Sequence, residues 1–182
     1  MVTYVSMLRG INVGEKKIRM KELKELYTSL GFEDVKTYIQ SGNVVFESNS
    51  SDTSELKDKI ENKIEEVFGF DVKVLILTKN ELKNVIDENP LKKEDPKHIY
   101  ITFLSEHPSE NIIKDLKLKL KVNIKNKSEK VSISLMKIYS YLPDGYGRTK
   151  LNNNFFEKKL NVTATTRNWR TVNKLYNIAE SL

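Results

Sequence analysis

Cysteine is absent from this 182-residue chain, and histidine occurs only twice. Without cysteine there is no disulfide framework, no thiolate metal site and no cysteine nucleophile, and a reducing cytoplasm is the simplest home. His98 and His107 have no third ligand motif beside them, so neither a zinc or iron centre nor any other cofactor is expected. No apolar run approaches the roughly 20 residues that a membrane helix needs, and no membrane association is expected. The opening MVTYVSMLRG lacks the basic stretch and long apolar core of a secretory signal. No carboxylate pair stands at a diagnostic spacing, so acid–base chemistry would fall to carboxylates, tyrosine or lysine.

Arginine is also scarce, with five residues among 31 cationic side chains. Four of the five fall in three polar stretches: Leu8–Gly14, Gly145–Lys150 and Thr165–Arg170. A chain that uses lysine elsewhere should keep arginine where a planar five-donor fork matters, as in recognition of phosphate or carboxylate. Loop arginines also pin loops to backbone carbonyls, and the sequence leaves both roles open.

The composition that is present is ordinary for a soluble domain, 38% hydrophobic and 31% charged. The net charge of +6 is diffuse and accompanies 17 asparagines, so much of the lysine reads as solvated surface. The densest basic run is Lys114–Lys130. Within it, Lys117–Lys125 alternates lysine or asparagine with Leu118, Leu120, Val122 and Ile124. That period of two predicts a strand with a wet lysine face.

Elsewhere the periodicities are plainer. They predict a strand at Thr3–Leu8, a helix at Met20–Leu30, a hairpin of Val35–Gln40 and Asn43–Glu47 around Ser41-Gly42, a helix at Glu55–Phe68 and a strand at Asp71–Leu77. This is the β-α-β-β-α-β order of ferredoxin-like folds. A linking helix, Lys79–Glu88, stops at Asn89-Pro90. The order then repeats: a strand at His98–Leu104, a helix from Pro108 to near Leu116, a hairpin of Lys130–Leu135 and Lys137–Leu142, and a helix at Asn152–Leu160. A short extended piece, Val162–Thr165, stands in for the last strand, and Asn168–Ala179 closes the chain as a helix. The expected fold is α+β, with two ferredoxin-like halves and antiparallel sheets: residues 1–78, a linker at 79–96, and residues 97–182.

The stretches Leu8–Gly14, Thr37–Phe46, Gly147–Leu151 and Thr165–Val172 resemble the signatures of domain-of-unknown-function family 1697, an uncharacterised bacterial family. The resemblance runs from Tyr4 to Leu175. It implies two ferredoxin-like subdomains and carries no activity with it. Glu15 departs from it, standing where the family more often has a second glycine after Gly14.

Each polar stretch has a binding reading and a structural one. Gly10 and Gly14 could bring backbone N–H groups to a phosphate beside Arg9, Asn12 and Lys16. Three residues separate the two glycines and no Lys-Ser/Thr pair follows, so this is not a Walker loop. The alternative is a tight strand-to-helix connection with Asn12 bonding backbone. Gln40, Ser41, Gly42 and Asn43 form a hairpin turn, and Ser41 lacks the elbow and base of a nucleophile. In the ferredoxin-like order, Arg9 and Gly10 should meet Gly42 and Asn43 at one sheet end. In the second half, Gly147, Arg148 and Lys150 could meet phosphate while Tyr146 stacks on a ring. Thr166 or Asn168 could cap the last helix, with Arg167 projecting from its N-terminus and Trp169 as packed anchor or stacking platform. These last two stretches flank a helix of roughly 14 Å, which places them at opposite edges of the second sheet.

Three functions stay open: a binding module for phosphate-bearing ligands, either nucleotide or nucleic acid; an enzyme acting on a small anionic substrate; and a protein–protein interaction module.

Overall fold

In the computed structural model, residues 1–123 and 128–182 are described. The chain divides into two compact units. One comprises Met1–Ile86 together with Asn173–Leu182, and the other Asp87–Val172.

The first unit contains β1 (Val2–Leu8), α1 (Met20–Ser29), β2 (Glu33–Tyr38), β3 (Asn43–Ser48), α2 (Thr53–Phe68), β4 (Val74–Thr78) and α3 (Lys79–Asp87, whose last residue falls in the second unit). The strand order is β2-β3-β1-β4 with antiparallel neighbours. Helix α1 buries Leu23, Leu26 and Tyr27, and α2 buries Leu56, Ile60 and Ile64. These side chains meet Tyr4, Leu8, Val44, Phe46 and Val74 in one core. Each such aliphatic contributes about 1.5–3 kcal/mol by leaving water. The Tyr27 hydroxyl is satisfied inside this core by Ser6 Oγ at 2.8 Å, while burial pushes its pKa up. Helix α2 starts at Asp52, whose carboxylate accepts from the Ser54 and Glu55 amides.

The second unit repeats the order with β5 (Ile99–Leu104), α4 (Glu110–Asn123), β6 (Lys130–Ser134), β7 (Lys137–Tyr141), α5 (Asn153–Leu160) and β8 (Ala164–Asn168). Its sheet runs β6-β7-β5-β8, again antiparallel. Leu116, Leu120, Ile138, Leu142, Leu151, Phe156 and Leu160 form its core. A final helix, α6 (Trp169–Glu180), follows β8 directly. The two ferredoxin-like halves of the sequence reading are therefore present. Among the described residues, no helix is long and apolar enough to cross a membrane.

Two expectations about the second half need correction. Residues 117–123 are helical, not extended: α4 runs past Leu116 to Asn123. Leu116 and Leu120, one helical turn apart, are buried, while Leu118 between them is 61% exposed. Burial thus follows the helical spacing and not the period of two. Residues 124 and 125 lie outside the described residues. The last strand is also present in full, displaced toward Asn168. Ala164–Asn168 pairs with β5 over five positions, from Tyr100↔Asn168 to Leu104↔Ala164.

Candidate functional site

In the first unit the two predicted loops come together at the end of β1. The Leu8 amide donates to the Gly42 carbonyl at 2.8 Å, and Met7 pairs with Asn43. Asn12 then ties the loops. Its Nδ2 donates to the carbonyls of Ile18 (2.9 Å) and Gln40 (2.7 Å), and its Oδ1 accepts from the Ile18 amide (2.9 Å). Asn12 sits at φ 57°, a left-handed conformation that asparagine tolerates. Its amide is thereby spent on the backbone, as in the structural of the two readings of this loop. The Asn43 amide is likewise spent, donating to the Tyr38 carbonyl and Ser41 Oγ from a fully buried position.

The cations of this loop pair are partly engaged. Lys16 Nζ donates to the Asp71 carbonyl at 2.6 Å, and the Arg9 amide donates to the Lys73 carbonyl at 2.8 Å. Lys73 itself is held by Asp71 (3.0 Å) and Glu61 (3.3 Å). The hydrogen bond to Asp71, followed by the charge of Glu61, raises its pKa. Arg9 and Gly10 are half-buried, and Gly14, Lys16 and Gln40 are exposed.

Ile39, in the same hairpin, has φ 49° and is 47% exposed. A β-branched residue there carries about 1–2 kcal/mol of backbone strain. Ile39→Asn is expected to raise the melting temperature by about 3 °C, because asparagine adopts this conformation more readily. A thermal melt by circular dichroism checks it, and an unchanged or lower melting temperature would show that the strain is absent.

In the second unit the Gly145–Lys150 turn is fixed from several sides. Gly145 takes φ 85° and donates its amide to Leu142, and the Arg148 amide donates to Gly145. The Thr149 hydroxyl accepts from the Leu151 amide at 3.0 Å. The Tyr146 ring packs on Tyr100 with centroids 5.2 Å apart, and its hydroxyl accepts from the Asn153 amide at 2.7 Å. Tyr146 is thus a wall of the loop. Gly147, Arg148 and Lys150 are exposed. Among the described residues, none accepts a hydrogen bond from the Arg148 guanidinium or pairs with it.

The Thr165–Arg170 stretch is not where the sequence placed it. Arg167 does not project from a helix N-terminus. It lies inside β8, opposite Ile101, only 8% exposed, and its Nη1 donates to Thr165 Oγ1 (2.8 Å) and the Thr166 carbonyl (2.9 Å). The cap belongs to Asn168, whose Oδ1 accepts from the Thr171 amide at 2.8 Å. Trp169 opens α6 and is half-buried.

Nor do the two stretches of the second unit stand apart at opposite sheet edges. Asn153, a residue the sequence reading did not single out, joins them. Its amide meets Tyr146, its Nδ2 donates to the Ala164 carbonyl (2.9 Å), and its Oδ1 accepts from the Thr166 hydroxyl (3.1 Å). Thr166 in turn lies 2.9 Å from the Thr102 hydroxyl. An asparagine one residue past a helix cap was the only signal, and it is a weak one. Among the described residues, no group of three or more histidine, aspartate or glutamate side chains could hold a metal ion.

Residues 1–139 match the family described as "Protein of unknown function (DUF1697)". The chain belongs to that family. The match takes in the Arg9–Lys17 loop and the hairpin clamped to it, and ends before the Gly145–Lys150 turn. A solved structure described as conserved bacterial protein SP0830 from Streptococcus pneumoniae is also similar, with 25% identity and a TM-score of 0.74. The similarity covers 99% of each chain, so both units are shared with that protein. No curated protein matches the sequence.

Proposed function

We propose that the protein is a cytoplasmic binding module for phosphate-bearing ligands, nucleotide or nucleic acid, with Arg148 as its principal contact. One observation carries the reading. Arg148 stands exposed and without a partner among the described residues, on a turn whose backbone, tyrosine and threonine are all held in place. An anion can therefore be met by a planar fork carried on a backbone that needs no further ordering, the arginine side chain alone losing rotamer freedom. Lys150 adds a second exposed charge two positions on. In the first unit, the exposed Lys16 and the half-buried Arg9 supply a second cationic loop.

The test is fluorescence anisotropy with short labelled single-stranded RNA, single-stranded DNA and duplex DNA at two salt concentrations. Binding should weaken steeply with salt. Arg148→Ala should weaken it about tenfold and make the salt dependence shallower by about one unit of slope, with the melting temperature unchanged. If low salt reveals no binding to these probes or to nucleotides, the reading is wrong. Binding that Arg148→Ala leaves untouched removes Arg148 from it.

A further inference from the structure

The two units place a strand at the same edge of the same sheet order, β2 in one and β6 in the other. The two edges are treated oppositely. β2 carries Glu33, Asp34 and Lys36, all exposed, and its register with β3 shifts between Glu33 and Lys36, with Asp34 at φ 47°. Charge and a bulge are the usual means by which an edge is kept from pairing with another strand.

β6 has neither. It pairs with β7 in unbroken register from Lys130↔Tyr141 to Ser134↔Lys137, and Val131–Met136 contains no charged residue. The lysines at either end are neutralised within the chain: Lys130 by Glu94 at 2.5 Å and Lys137 by Glu88 at 2.6 Å. At the hairpin tip Leu135 and Met136 are 67% and 40% exposed.

We propose that this edge pairs with β6 of a second copy of the chain. The sequence of the strand matches its own antiparallel copy. With the twofold axis at Ser132, Val131 faces Ile133 of the second copy on the side toward the helices, where both already pack against the core. Ser132 faces its own equivalent on the other side, and Lys130 faces Ser134. Aliphatic meets aliphatic, hydroxyl meets hydroxyl, and no like charges oppose one another. A foreign extended peptide would find the same backbone, but nothing in β6 selects its side chains. A ladder this short buries about 1,000 Å² or less in total, the size class of weak and transient contacts, so the dimer is weak and reversible.

Sedimentation equilibrium of the full chain tests this. From about 10 to about 500 µM, concentrations that span weak micromolar association, the average mass should rise from the 21.1 kDa of one chain toward twice that value. S132K places two lysines face to face and should weaken association at least about tenfold with an unchanged melting temperature. S132E should do the same. Mixing S132K with S132E should restore association, because only the mixed pair is attractive. A wild-type chain that stays single throughout the range overturns the proposal. So does undiminished association of S132K, or a mixture that fails to recover.

Discussion

Gly42→Ala is expected to lower the melting temperature by about 10 °C, equivalent to roughly 3 kcal/mol. Two independent terms combine. Gly42 has φ 73°, where any side chain is strained. An added Cβ would also fall 2.6 Å from Ile11 Cδ1 and 2.9 Å from Leu8 Cβ. The isoleucine end could move, but Leu8 Cβ is fixed to the backbone of β1, so the clash must be absorbed by the hairpin. The hairpin is bonded to the same strand through the Leu8 amide and the Gly42 carbonyl. Differential scanning calorimetry reads the loss directly. A fall of under about 2 °C would mean that the hairpin yields easily and that the close approach is not a constraint.

Arg167→Ala is expected to cost about 2–4 kcal/mol and to act on stability rather than on ligand affinity. The guanidinium is buried and donates to Thr165 Oγ1 and the Thr166 carbonyl. Truncation empties that volume and leaves Thr165, itself 3% exposed, without this donor. Arg167→Lys should recover little, since one ammonium cannot reproduce the fork. Urea denaturation of both variants, beside Arg148→Ala, separates the two arginines. Arg167 should move the midpoint and Arg148 should not. An unshifted midpoint for Arg167→Ala would return it to the ligand-binding candidates.

That contrast shows where the sequence was informative. Helices α1 and α2 were legible because Leu23, Leu26 and Tyr27, and Leu56, Ile60 and Ile64, sit at helical spacing and bury accordingly. The meeting of the Arg9 and Gly42 loops followed from the topology alone. The alternation around Leu118 misled, because an exposed leucine contributed to a pattern that burial did not support. β8 was hard to see because it reads Ala-Thr-Thr-Arg-Asn, with no apolar alternation. The fate of Arg167 depended on the sheet face it occupies, which a one-residue change of register would have reversed. For the same reason arginine scarcity pointed to places where a fork is used, without distinguishing a fork used inward from one left open to solvent.

The last ten residues of this sequence, Asn173–Leu182, group with the unit that begins at Met1. That unit is therefore interrupted in the chain by the whole of the other. During synthesis, Asp87–Val172 can be completed and folded while the earlier unit still waits for its final helical turns. The order of emergence from the ribosome is thus the reverse of the order of completion, and loss of residues 173–182 would leave the first-made unit, and not the second, unfinished.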